Sequence, residues 1–159
     1  MRALIVTAAV LTVLVVPAHA MASPADTGPP SISEPSSAAT AAKSLSTRST
    51  RFGRIVTDGA GRALYLFTRD GRRPSRCYGA CAEAWPPLIV SGRPRAGARI
   101  DRDLIGTTRR RDGRRQATYR GQPLYYFVGD RAPAQVTCQN VIEFGGTWLV
   151  VAPSGRAIR

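Results

Sequence analysis

A ten-residue phrase occurs twice in this chain at a fixed offset of sixty residues. The first copy reads GRALYLFTRD at 61–70 and the second reads GQPLYYFVGD at 121–130, with Gly, Leu, Tyr, Phe and Asp identical in register. Five matches at one offset indicate an internal duplication. Each copy is then one β unit that needs the other copy to bury its apolar face.

The repeated phrase has the side-chain pattern of a buried strand. Residues two apart share one face of a strand, so Tyr65 and Phe67 point the same way, as do Tyr125 and Phe127. The alternating positions carry leucine or tyrosine. Because both faces are apolar, we expect each phrase to form a central strand that is covered on both sides.

The rest of the region after residue 50 reads as short strands separated by turns. A helix is predicted only around 79–85, ahead of two prolines, and one helical turn at 101–104. The fold class predicted is therefore mainly antiparallel β, with two related repeats closed as a sandwich or small barrel and one short helix. Three hairpins are predicted, which pair 54–57 with 64–67, 107–110 with 116–119, and 147–152 with 156–158. A further strand is predicted at 123–128.

Asp70 and Asp130 each follow the phenylalanine of their copy by three residues, where the strand should end. An aspartate there is expected to accept backbone amide hydrogen bonds and to fix the turn. The alternative is that two related Tyr/Asp clusters line a shared groove and bind a ligand. The candidate binding residues are then Tyr65, Phe67, Asp70, Tyr125, Phe127 and Asp130.

The first fifty residues read as a leader. Met1 and Arg2, an apolar stretch to Val16 and an A-x-A site ending at Ala20 predict a signal peptide over 1–20. Residues 21–50 are rich in Ser, Ala, Thr and Pro and are predicted to be a disordered tether. We place the domain at 51–159, with repeats at about 51–95 and 105–159, and expect no transmembrane span in the mature chain.

Three cysteines cannot all pair within one chain. Outside the cell, Cys77 and Cys81 are expected to form a local disulfide, which leaves Cys138 free. The competing arrangement pairs Cys138 with one of the other two and joins the two halves. Cys77 and Cys81 as thiols could instead hold a soft metal such as cuprous copper, so a redox or copper-handling role is the second functional hypothesis.

The formal charge of +13 comes almost entirely from arginine. An exported chain with this charge should associate with anionic groups of the cell wall or the membrane surface, and specific nucleic acid is not an expected partner. The excess of arginine over lysine also fits a genome whose base composition favours arginine codons.

Sequence signals for catalysis are weak. The single histidine, His19, lies in the predicted signal peptide, which removes the commonest general base and the imidazole ligand of many metal sites. No nucleophile elbow, phosphate loop or dinucleotide motif occurs. We therefore expect no cofactor, no metal and no catalytic residue. A hydrolase that uses Asp70 and Asp130 as paired carboxylates is the third hypothesis.

Three segments together resemble a bacterial family of secreted repeats, described as predicted lipoproteins with a Tyr-x-Phe/Trp/Tyr-x-x-Asp motif. Both phrases fit that motif, the segment CYGACAEAWPP at 77–87 is similar to the family's Cys-x-Gly-x-Cys-Ala-x-x-Trp-Pro-Pro stretch, and GGTWLVV at 145–151 is similar to its closing strand. The resemblance implies a fold unit and an exported location in the envelope or outside the cell, but no reaction. The lipid-bearing cysteine of many relatives is missing, which suggests free secretion or electrostatic retention at the wall.

Overall fold

The computed structural model describes residues 43–72 and 74–159. The predicted signal peptide and the first part of the predicted tether lie outside the described residues. The described residues belong to one compact unit. Their strands are β1 (Ser44–Thr50), β2 (Gly53–Asp58), β3 (Tyr65–Phe67), β4 (Arg95–Ala96), β5 (Ile105–Arg109), β6 (Arg115–Tyr119), β7 (Gln122–Pro123), β8 (Val141–Glu143) and β9 (Gly146–Val150).

The first sheet corrects the predicted start of the domain. Its strand order is β2-β1-β4, and β1 pairs antiparallel with β2 over Leu45–Thr50. The prediction that the tether extends to residue 50 is therefore wrong for Ser44–Thr50. The physical reason is that backbone pairing with β2, together with the fully buried Leu45, orders a segment that has no aromatic residue.

The second sheet joins the two repeats. Its order is β3-β9-β8, so the strand that carries the first phrase pairs with the closing strand near the C-terminus. The predicted hairpin of 54–57 with 64–67 forms only its turn and one bridge, Thr57 with Ala63, before the two segments separate. The amide of Leu64 still donates to the Val56 carbonyl, and residues 65–67 then leave β2 because their backbone pairs with β9 instead. The sequence analysis did not anticipate β8.

The third sheet, β5-β6-β7, contains the predicted hairpin of the second half. The predicted strand at 123–128 is shorter than expected: β7 ends at Pro123, and Tyr125 then makes isolated bridges to Tyr65 and Pro87. The predicted C-terminal hairpin is present, since Val151 bridges Ala157 beyond the end of β9.

The helical predictions agree with the structure. α1 spans Ala80–Ala84 and stops at Trp85, before the two prolines. One 3₁₀ turn spans Arg102–Leu104, and another, Thr68–Asp70, ends the first phrase. Among residues 43–72 and 74–159, no helix is long and apolar enough to cross a membrane.

The prediction that both faces of each phrase are buried, with residues two apart on the same face, is confirmed by two separate hydrophobic clusters. One cluster holds Leu64, Leu66, Leu124 and Tyr126, while Tyr65, Phe67 and Tyr125 belong to the other. Each phrase thus has one face in each cluster. The mainly β fold with two repeats is confirmed, and the described strands pack as three small sheets in a sandwich-like arrangement rather than as a closed barrel.

Candidate functional site

The two phrases meet at their tyrosines. The amide of Tyr65 donates to the carbonyl of Tyr125, and the amide of Tyr125 donates to the carbonyl of Tyr65, both at 2.9 Å. This reciprocal pair is the pattern expected of two related strands that face each other across a local twofold axis. It places the equivalent side chains of the two repeats next to one another.

Each repeat donates its tyrosine hydroxyl to the aspartate of the other repeat. The Tyr65 hydroxyl donates to Asp130 Oδ2 at 2.6 Å, and the Tyr125 hydroxyl donates to Asp70 Oδ2 at 2.5 Å. All four residues are at most 3% exposed. The Tyr and Asp of the motif are therefore partners, but the partner always comes from the other copy.

The second oxygen of each carboxylate holds the loop that follows it. Asp70 Oδ1 accepts from the amide of Arg76 at 2.7 Å. Asp130 Oδ1 accepts from the amide and the hydroxyl of Thr137, at 3.0 and 2.6 Å. The expected contact between these aspartates and nearby backbone amides is present, and each aspartate joins its own loop to the opposite repeat.

A buried arginine extends the network around Tyr125. The Tyr125 hydroxyl lies 2.7 Å from Ser75 Oγ, which accepts from Arg110 Nη1 at 2.7 Å. The same guanidinium donates to Gln116 Oε1 and to the Cys77 carbonyl. Arg110 was not predicted from the sequence, because it lies in a run of three arginines whose other two members are exposed. Nothing in the local sequence distinguishes it from its neighbours.

Burial controls the protonation of these groups. Burial first, and the neighbouring aspartate second, raise the pKa values of Tyr65 and Tyr125 far above their ordinary value, so both hydroxyls stay neutral donors. Burial also raises the pKa of Asp70, against the opposing hydrogen bond from Tyr125. Because folded Asp70 holds its proton more tightly than unfolded Asp70, acidification costs no stability through this group.

Four aromatic rings follow one another in a row in which the repeats alternate. Phe67 stacks on Trp148 at 4.2 Å between ring centroids and Trp148 stacks on Trp85 at 4.0 Å, while Phe127 lies against Trp85 at 4.6 Å with its ring plane tilted by 39°. Each tryptophan also makes a T-shaped contact with the tyrosine of its own repeat, at 5.2 Å in both cases. One tryptophan per repeat was the sequence signal for this stack, and the sequence analysis did not use it.

The two indole nitrogens differ. Trp85 Nε1 donates to Glu143 Oε2 at 2.9 Å, whereas Trp148 Nε1 is buried and has no acceptor among the described residues. An unpaired buried N–H is destabilising, so the size and stacking of the Trp148 ring have to outweigh that cost.

The predicted local disulfide is confirmed. Cys77 and Cys81 are bonded, with Cα atoms 5.2 Å apart, and Cys138 is a half-buried free thiol. In this oxidised form the two sulfurs are not thiolate ligands. A copper or redox role through Cys77 and Cys81 would first require reduction of a bond between two buried residues.

The six candidate binding residues come together, and they lie in the interior. Phe127 is half-buried and the other five are buried. Their polar atoms have partners within the protein, as described above. Ligand binding by these side chains stays a prediction, and a substrate has no access to the buried Asp70 and Asp130 carboxylates in this conformation, so the geometry does not favour the hydrolase hypothesis.

Removing either motif hydroxyl should destabilise the protein. Tyr65→Phe and Tyr125→Phe should each lower the free energy of unfolding by about 1–3 kcal/mol, because a buried carboxylate oxygen loses its donor. Tyr78→Phe is the matched control, since within the described residues the Tyr78 hydroxyl makes one hydrogen bond, accepted from the exposed Arg111 amide. Urea unfolding measures all three, and equal losses in the three variants would contradict the structural role of the Tyr/Asp pairs.

The comparison with protein families agrees with the duplication. A family model described as a secreted repeat of unknown function matches residues 46–89 and 106–152, one match for each repeat. The first match begins inside β1, which again places the start of the domain before residue 51. Neither the curated proteins nor the solved structures include a significant match to this chain.

Proposed function

We propose that this chain, which belongs to the family of secreted repeats of unknown function, is an exported, non-enzymatic binding protein that attaches to anionic polymers of the cell envelope. In this proposal the duplicated Tyr/Asp motif has a structural role and holds the two repeats together. The outer surface, which is rich in arginine, carries the binding function.

The charge of the folded region carries the proposal. Residues 43–159 contain twenty-two basic residues, all but one of them arginine, against eight acidic residues, which leaves a net charge of +14. Among the arginines that the structure describes, Arg110 is buried and Arg62 is half-buried, and the others are exposed. A folded surface with this charge attracts polyanions over roughly one Debye length.

At least half of the eight acidic residues are buried or already bonded within the protein, so few acidic groups are left to compensate the arginines at the surface. Asp70 and Asp130 are buried in the Tyr/Asp pairs, and Asp58 accepts from the Tyr126 hydroxyl at 2.9 Å. The ion pairs found within the described residues both use Asp112, with Arg110 and Arg114. Exposed guanidinium groups without an acidic partner remain able to bind phosphate or carboxylate in a bidentate manner.

Binding to a polyanion should depend strongly on salt. The protein should sediment with an insoluble anionic polymer at about 50 mM NaCl, and the apparent affinity should fall at least about tenfold by about 500 mM NaCl, because the attraction is screened. A neutral polymer of the same backbone is the control. Binding that is unaffected by salt, or equal binding to the neutral polymer, would refute the proposal.

A further inference from the structure

A cleft with a cavity volume of about 400 Å³ lies between the turn that follows β9 and the β6–β7 turn. Leu66 and Leu149, both buried, contribute to its lining. No acidic residue is among the described residues that line it, and the volume is in the range of small-ligand sites. Its other lining residues include four exposed arginines: Arg72, Arg120, Arg156 and Arg159.

Arg120 is held in place by the protein. Its Nη1 donates to the Ser154 carbonyl at 3.0 Å, so one side of the guanidinium is fixed against the C-terminal turn. Its stem packs on Gly155, where a Cβ would lie 2.6 Å from the Cβ of Arg120 and where φ is +75°. Only glycine permits this contact and this backbone conformation together. The guanidinium is therefore positioned before any ligand arrives.

The four arginines make no ion pair within the described part of the chain. Gln122 also lines the cavity, but its Oε1 is buried and has no hydrogen-bond partner among the described residues, so this oxygen is closed off from a ligand in the cleft.

From these features we infer that the cleft binds the phosphate group of a phosphate ester. The phosphate accepts from the arginine guanidiniums. Several guanidiniums around one cavity favour phosphate, which has three or more acceptor oxygens, over a single carboxylate. This inference rests on the proposed function and gives the general attraction to polyanions one defined site.

Paired variants of equal charge test the site. Arg120→Gln/Arg156→Gln removes two cleft arginines, and Arg109→Gln/Arg115→Gln removes two exposed arginines that do not line the cleft. The probes are a soluble glycerol phosphate oligomer, vesicles of phosphatidylglycerol in phosphatidylcholine, and polyglutamate of the same charge as the oligomer. Calorimetry or vesicle sedimentation at about 50 mM NaCl gives each affinity, and thermal unfolding checks that the variants are folded.

The wild-type protein should bind at least one glycerol phosphate probe about tenfold or more tightly than polyglutamate, because the cleft arginines act together on phosphate. The cleft variant should lose about tenfold or more of that affinity, and the control variant should lose much less. The stronger of the two phosphate probes identifies whether a free polymer or a lipid headgroup supplies the ligand.

Two results would refute the assignment of the cleft as a phosphate site and leave the proposed function intact. One is an equal loss of affinity in both paired variants, and the other is equal wild-type affinity for polyglutamate and for the phosphate probes. Absence of binding to every anionic probe at low salt would overturn the proposed function together with the cleft.

Discussion

Replacing Trp148 with alanine should lower the free energy of unfolding by about 3–5 kcal/mol. The ring is fully buried between Phe67 and Trp85 and makes a T-shaped contact with Tyr125, so its removal opens a cavity where the two repeats meet. Because a domain of this size is stabilised by only about 5–15 kcal/mol in total, the variant should unfold at much lower denaturant concentration or fail to fold.

Two further variants separate stacking from other effects of this substitution. Trp148→Phe keeps an aromatic ring in the stack and removes the unpaired Nε1, so it should cost clearly less than alanine. Ile142→Ala, on the neighbouring strand β8, removes a side chain that is 77% exposed and should change stability by less than about 0.5 kcal/mol. Urea unfolding followed by tryptophan fluorescence compares them. A loss below about 1 kcal/mol for Trp148→Ala would show that the stack does not hold the repeats together.

Alkaline pH should unfold the protein steeply. Burial raises the pKa values of Tyr65, Tyr125 and Tyr126 far above the ordinary value of 10.0, and an aspartate beside each adds to the effect. Below pH 10 the three tyrosines are neutral in both states and their contribution is fully present. Above pH 10 the unfolded chain releases three protons that the folded chain keeps, so stability falls as pH rises, by about 1.4 kcal/mol per tyrosine for each pH unit.

Together the three groups should remove about 3 kcal/mol between pH 10 and pH 11, because the unfolded tyrosines are only half ionised at pH 10 and the limiting slope is reached above it. Denaturant unfolding at a series of pH values from 8 to about 11 measures the slope, and tyrosinate absorbance compares native with unfolded protein. Burial also raises the pKa of Tyr119, so Tyr65→Phe should reduce the slope by about a quarter to a third, since one of these titrating groups is lost. A native absorbance curve that matches the unfolded curve would contradict the buried, neutral state of these hydroxyls.

The duplicated phrase determined much of the fold without any knowledge of the structure. Alternation along a strand is a local property, so the two faces of 64–67 and 124–127 could be assigned, and they enter two different clusters as predicted. Turn residues and the double proline located the Asp112–Gly113 turn and the end of α1 for the same local reason. The pairing of Cys77 with Cys81 was favoured by their short separation and is present.

The local sequence pattern could not predict which strands pair with each other. β3 pairs with β9 rather than with the strand before it, and β1 is ordered by its pairing with β2 despite a composition that predicted a tether. Strand pairing is a contact between distant segments, and its free energy depends on which surfaces are buried together. The sequence therefore indicated where strands occur more reliably than which strands meet.

The motif shows the same division at atomic detail. Its repetition indicated that the two copies are related, and it gave Tyr and Asp of each copy as candidate site residues while leaving open whether Asp fixes a turn or joins a Tyr/Asp cluster. Only the tertiary structure decided that each tyrosine donates to the aspartate of the other copy, that Arg110 is the buried arginine of its run, and that Arg72, Arg120, Arg156 and Arg159 share one cleft. Local geometry sets the face on which a side chain lies, whereas its partner is set by the packing of segments tens of residues apart.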